Sequence, residues 1–234
     1  MMDARYAAGR RHKPHLSFRL RCRARAAAGA YRRYRTHTQP PRVLDFGAAE
    51  GATMVEVHRL LGAAESIGVE YAADLIAAAE PLPADCRLLQ GDVTAPLPEI
   101  TLGHFDLVTA LAVLEHLAEP AELIAQAHRA LRPGGVFVAT CPAGHWDRLS
   151  GRLRLHQDEH HETEFDRHRF AAVAEAGGLV PLRYERFMFA PLGFLPYLRI
   201  PVPVGLAEAC DGCVRFLRVF EFTFVNQLFV ARRP

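Results

Sequence analysis

Acidic residues are nearly missing from the first forty-two positions. Asp3 stands there alone against twelve Lys/Arg, whereas residues 43–234 carry twenty-five acids against sixteen bases. A basic arm of net +11 is thus joined to a body of net −9. The arm, "RRHKPHLSFRLRCRARAAAGAYRRYR", has no apolar run long enough for a signal-peptide core, which argues against export and for a cytoplasmic protein. A membrane span is missing too. Residues 187–207 hold one charge, Arg199, but Pro191, Pro196, Pro201 and Pro203 break the segment. Cysteine is scarce, odd in number and scattered (Cys22, Cys86, Cys141, Cys210, Cys213), which excludes a disulfide framework. The single C-x-x-C in "ACDGC" has no second pair to complete a zinc site, so no metal is expected from it.

What remains is a folded composition: 50% hydrophobic and 23% charged over 234 residues, enough for one α/β domain with an appendage. The division expected is a basic arm or helix over 1–42 and a domain over 43–234, with an apolar insertion at about 188–219. Arginine-rich arms bind nucleic acid or anionic lipid through phosphates; the plainer reading is a solvated arm and helix leading into the first strand.

From residue 43 short apolar runs alternate with helical stretches. "RVLDF", "ESIGVE", "CRLLQGD", "FDLVTAL" and "GVFVAT" read as strands buried on both faces; "MVEVHRLLG", "AADLIAAAE" and "PAELIAQAHRAL" read as the helices between them. Thr53 with Glu56 is a capping-box pattern for the first helix. Pro120 suits a first helical turn, and Pro133-Gly134-Gly135 a stop. Repeated β-α-β units imply a parallel sheet with helices on both faces. "EFDRHRFAAVAEAGG" then reads as a further helix, and "LVPLRYERFMF" and "EFTFVNQLFVA" as two more strands around the insertion.

In an open α/β sheet the ligand sits beyond the carboxyl ends of the strands, and "VLDFGAAEG" supplies the first such turn. Asp45, Gly47 and Gly51 give D-x-G-x-x-x-G. The dinucleotide fingerprint G-x-G-x-x-G fails at Ala49. Asp45 would repel a diphosphate but favours a ligand with an amino group. Glu70 closes the second strand about twenty residues on, where a carboxylate accepts both hydroxyls of a ribose. Asp92 ends the third, in reach of an exocyclic amine of adenine. Three acids ending three successive strands describe a pocket for a cationic adenosine ligand.

"VLDFGAAEG", "IGVEYAADLI", "LQGDVTAPLP", "FDLVTALAVLEHL" and "LRPGGVFVATCP", in this order and spacing, resemble the class I S-adenosylmethionine-dependent methyltransferases of the small-molecule type. The resemblance runs from Val43 to Pro142 and more weakly through "FDRHRFAAVAEAGGL". It implies a Rossmann-like, doubly wound α/β fold whose seven-stranded sheet has an antiparallel last strand inserted beside its neighbour. It also implies that Asp45, Gly47, Ala48 and Gly51 hold the methionine part of S-adenosylmethionine, that Glu70 and Tyr71 meet the ribose side, that Asp92 and Val93 bind the adenine, and that Ala110 and Leu111 border the sulfonium. At Ala49 many members have glycine; alanine fits if its dihedrals are ordinary.

Methyl transfer from a sulfonium is an in-line displacement on a pre-activated electrophile. It needs positioning, and a base only where the nucleophile must lose a proton. His116 in "VLEHL" is the candidate base, with a capping or packing role as the alternative. Ubiquinone-type O-methyltransferases carry a metal-linked E-x-x-E-H here. This chain has Ala112 at its first position, leaving Glu115 and His116, and no metal is expected. Before the last helix "LHQDEHHETEFDRHRF" offers His160 and His161 as substrate-side candidates. Thr109-Ala110-Leu111-Ala112 replaces the N/D-P-P-Y signature of amino-methylating nucleic-acid enzymes, which weighs against a nucleic-acid acceptor. The apolar insertion would sit over the substrate side, as a lid or membrane-dipping surface for a lipid-like acceptor or as an extra helical layer. The reading is methyl transfer to a small or lipid-like acceptor, at oxygen, with possible peripheral membrane contact. A scaffold that binds the cofactor without catalysis and an NAD(P)-dependent oxidoreductase are the alternatives.

Overall fold

The apolar runs are five to twelve residues long and bounded by turn residues, so they pair as strands rather than coil as helices. The computed structural model describes residues 9, 12–146, 164–217 and 220–234. One sheet contains β1 (Arg42–Phe46), β2 (Glu65–Glu70), β3 (Cys86–Gln90), β4 (Phe105–Leu111), β5 (Leu131–Pro142), β6 (Val180–Phe189) and β7 (Phe224–Arg232). Their order is β3-β2-β1-β4-β5-β7-β6, parallel except for β7, which runs antiparallel between β5 and β6. This is the doubly wound sheet expected from the motifs.

Seven helices accompany it among the described residues: α1 (Pro14–Tyr34), α2 (Ala52–Leu61), α3 (Ala73–Ala77), α4 (Pro120–Ala130), α5 (Arg167–Ala176), α6 (Ala190–Phe194) and α7 (Val204–Leu217). On one face of the sheet, Leu123, Ile124 and Ala127 of α4 and Phe170 and Ala174 of α5 pack with Leu44, Phe46, Val108 and Phe137. On the other, Phe18, Cys22, Ala27 and Tyr31 of α1, Val57 of α2 and Ala207 of α7 pack with Val43, Leu107, Val138 and Val230.

Several local expectations are corrected. The basic segment is not a solvated arm over residues 14–34: α1 is a layer of the core, burying Leu16, Phe18, Arg23, Ala24, Ala27 and Tyr31 while Arg21, Arg25, Arg32 and Arg33 look outward. The capping box does not form. Gly51, at φ 81°, is the N-cap of α2, and Glu56 turns to Arg59 instead, at 2.8 and 3.0 Å. Helix α4 ends at Ala130, and β5 begins before Pro133-Gly134-Gly135 rather than after it. "AADLIAAAE" is helical only over Ala73–Ala77. The apolar insertion is helical: α6, a 3-10 turn over Leu195–Leu198, and α7, which joins the α1 layer.

Candidate active site

The turn after β1 is bent by Gly47 at φ 70°; a Cβ there would lie 2.5 Å from Val113, so glycine is required by close approach as well as by conformation. Its N–H and that of Ala48 donate to Val69 O at 2.9 and 3.1 Å, tying the turn to β2. Ala49 follows at φ 51°. Its dihedral is therefore not ordinary: the residue sits in the left-handed region, where a glycine would be at ease.

Glu70, at the end of β2, is buried and holds this turn. Its Oε2 accepts the Ala49 N–H and its Oε1 the Ala72 N–H, each at 2.9 Å. Each oxygen keeps a second acceptor direction for a ligand hydroxyl. Asp92, beyond β3, accepts the Thr94 N–H at 2.9 Å and its hydroxyl at 2.6 Å, both at Oδ1. These two bonds hold its carboxyl below the usual range, so it stays ionised.

A cavity of about 570 Å³ opens at the carboxyl ends of β1, β2 and β3. Its lining brings together Gly47, Glu70, Tyr71, Asp92, Val93 and His116 from the expected set. It does not include Asp45, Ala48, Gly51, Ala110 or Leu111. Asp45 lies behind the turn, buried, and its Oδ1 accepts the Thr109 hydroxyl at 2.6 Å. Ala110 is fully buried within the sheet, and Leu111 packs on the α1 face. His160 and His161 lie outside the described residues. Sequence reasoning missed Leu75, Thr94, Val113, Leu117, Glu119 and Glu122. Thr94 was legible as the partner that an Asp-x-Thr turn supplies; Glu119 and Glu122 reach the cavity only because the turn after β4 folds back over it.

The lining holds four carboxylates, Glu70, Asp92, Glu119 and Glu122, and no Lys or Arg among the described residues. That donor set fits a sulfonium and an amino group and gives a diphosphate nothing to pair with, which disfavours the oxidoreductase alternative. Glu70 and Asp92 would hold the ribose and adenine ends of S-adenosylmethionine.

His116 and Glu115 share a 3-10 turn, Leu114–His116, but part company. His116 faces the cavity; Glu115 turns into the core, 2% exposed, and neither of its oxygens has a hydrogen bond of normal geometry. Burial raises its carboxyl, outweighing the lowering from His116, the adjacent backbone, Arg23 and the Cys141 thiol. The E-x-x-E-H remnant is thus split across a wall of the cavity. Ala112, at its first position, takes φ 63° and lines the cavity.

Residues 17–183 match the family model described as "Methyltransferase domain". The chain is 33% identical to a trans-aconitate 2-methyltransferase of Deinococcus radiodurans over 82% of its own length and 86% of that protein's. A ubiquinone biosynthesis O-methyltransferase of Methylococcus capsulatus is 31% identical over 42% of this chain and 43% of that protein. In fold it is similar to a Haloferax volcanii methyltransferase solved with the Trm112 methyltransferase activator, with TM-score 0.68 and 18% identity over 99% of this chain and 94% of that one. It is also similar to an S-adenosylmethionine-dependent methyltransferase of Mesorhizobium loti, with TM-score 0.61 and 17% identity over 90% and 100%. The chain belongs to the methyltransferase-domain family and is a class I methyltransferase that uses S-adenosylmethionine.

Proposed function

We propose that this methyltransferase transfers the methyl group to an oxygen of a small acceptor with an apolar body, His116 being the base that takes the acceptor's proton. The observation that carries this is the position of His116, the one imidazole among the described lining residues, on the wall of the cofactor cavity at the turn after β4. When bound, the cofactor supplies an activated methyl and leaves as its neutral thioether. The protein's part is positional: Gly47 and the Ala49 N–H shape the floor, Glu70 and Asp92 fix the adenosine, and the carboxylate lining favours a cationic cofactor over its neutral product. The imidazole then accepts the hydroxyl proton as the oxygen attacks.

One relative supports oxygen as the target by name, a ubiquinone biosynthesis O-methyltransferase; the other, a trans-aconitate 2-methyltransferase, supports a small acceptor. An acceptor with an apolar body, a lipid-like one reached at a membrane included, is supported by Val113 and Leu117, apolar side chains of the cavity lining beside His116. His160 and His161 are retained as acceptor-side candidates, and Asp45, Ala48, Gly51, Ala110 and Leu111 as residues acting behind the cofactor.

The test is methyl transfer from labelled cofactor to a panel of phenols and isoprenoid alcohols, with products identified by mass spectrometry. O-methylation that falls at least a hundredfold in His116→Asn, with S-adenosylhomocysteine binding kept, is expected. A product methylated at nitrogen or carbon, or full activity in His116→Asn, would overturn the reading.

A further inference from the structure

Helices α1 and α7 lie side by side on one face of the sheet, joined by the Arg25–Glu208 pair at 2.8 Å. Their outward faces are unlike. On α7 the exposed positions Leu206, Ala209, Cys213 and Phe216 recur at helical spacing, and none is charged. Leu206 is 52% and Phe216 86% exposed, values a soluble helix seldom gives to such residues in a row. On α1 the exposed charged positions are Arg21, Arg25, Arg32 and Arg33; Arg25 pairs with Glu208 and Arg32 donates to Leu60 O, which leaves Arg21 and Arg33 for an external anion. Beyond the ends of α7 the apolar exposure continues, at Leu198 (71%) and Phe222 (61%).

We infer that this face docks on an anionic lipid bilayer, α7 and its flanking Leu198 and Phe222 entering the interface while the α1 arginines meet the phosphate headgroups. Cations on one helix beside a row of apolar side chains on its neighbour are the arrangement a charged membrane surface satisfies, since it offers anionic groups and a hydrocarbon boundary a few ångströms apart. A second copy of the chain fits less well. The partly exposed acid of α7, Glu208, is already paired with Arg25, so pairing this face with itself offers Arg21 and Arg33 no free anion. A nucleic-acid duplex would use the arginines and leave the apolar row unmatched. The inference stands apart from the acceptor's identity, because it uses no residue of the cofactor cavity.

The experiment is sedimentation of the full chain with phosphatidylcholine vesicles and with vesicles containing phosphatidylglycerol, at low and high salt. Binding to the anionic vesicles that weakens with salt is expected. In Arg21→Glu/Arg33→Glu it should fall by roughly thirtyfold or more, about fivefold per lost cation and further from the reversed charge. Leu206→Ser/Phe216→Ser should cause roughly a tenfold loss that salt does not mimic. All variants should bind S-adenosylhomocysteine as the parent does, which shows that they are folded; Arg21→Gln/Arg33→Gln, with a smaller loss, replaces the first pair if it is not. Several results would overturn the inference: no sedimentation, binding that ignores both pairs of substitutions, or dimers abolished by Leu206→Ser/Phe216→Ser without any vesicle binding. Oligonucleotide binding through Arg21 and Arg33 in place of vesicle binding would do the same.

Discussion

Glu70 Oε2 accepts the backbone N–H of Ala49 at 2.9 Å, so the carboxylate expected to hold the ribose also holds the turn that cradles the cofactor. In the proposed site one side chain would thus couple the folding of the loop to the recognition of its ligand. Its second oxygen takes the Ala72 N–H, which leaves no place for an amide donor without breaking a bond. Glu70→Gln is therefore expected to weaken S-adenosylhomocysteine binding about ten- to a hundredfold and to cost about 1.5–3 kcal/mol of stability, charged hydrogen bonds being worth about that much each. Calorimetric titration and thermal melting read the two effects. Unchanged affinity would remove Glu70 from the site.

Ala49 makes the companion prediction. At φ 51° and 1% exposure, its alanine costs about 1 kcal/mol relative to glycine, but glycine gives back a similar amount through the freedom of the unfolded chain. Ala49→Gly should leave the melting temperature within about 2 °C of the parent. Ala49→Val, branched and buried in the left-handed region, should lose more than about 2 kcal/mol. A clear destabilisation by glycine would mean that the turn holds ordinary dihedrals in solution.

These two residues also mark the limit of what the residues alone disclose. The sheet was legible because runs such as "RVLDF" and "FDLVTAL" are apolar throughout, as strands buried on both faces must be, and because acids end them in succession. Glu70, Asp92 and His116 were legible for the same reason: each follows a strand. The φ of Ala49 was not, since nothing in a single alanine reports the path of the chain around it. Helix α1 was misread because its buried side is built largely of Ala24, Ala27 and Ala28, whose weak hydrophobic signal disappears among the arginines, although alanine is what lets the helix approach the sheet closely. The parting of Glu115 from His116 depends on a single 3-10 turn, which swings neighbouring side chains to opposite sides without any mark in the composition.

Glu115 should impose a pH dependence on stability. Its carboxyl is raised by burial in the folded chain, so the folded state favours the protonated form. The contribution is complete below the ordinary carboxyl value and is lost as pH rises from there toward the folded value, at up to about 1.4 kcal/mol per pH unit. Glu115→Gln cannot ionise. The melting temperature of the variant minus that of the parent should therefore climb between pH 4.5 and pH 8, whatever offset the buried amide adds. A flat difference across that range would show that Glu115 is solvated or paired in solution.

Asp211 decides whether the apolar helix is a fixed layer. From α7 it accepts the Met188 N–H at 2.7 Å and the Phe189 N–H at 2.8 Å, where β6 ends and Met188 takes φ 66°. Two backbone donors freed by an unusual turn are thereby satisfied by one buried carboxylate, which also pins α7 to the sheet. Burial raises this carboxyl, and the two N–H bonds and the charge of Arg215 only partly offset it. In Asp211→Asn one oxygen must give way to an NH₂ group facing an N–H, leaving a buried donor unmet. A loss of about 1–3 kcal/mol is expected, with faster hydrogen exchange at Met188 and Phe189 and along α7. S-adenosylhomocysteine binding should stay within a few fold, because the cofactor cavity contains no residue of α7. If exchange along α7 were already as fast in the parent as in the variant, the helix would be a loosely held cover rather than a layer of the fold, and Asp211 would serve only the turn at Met188.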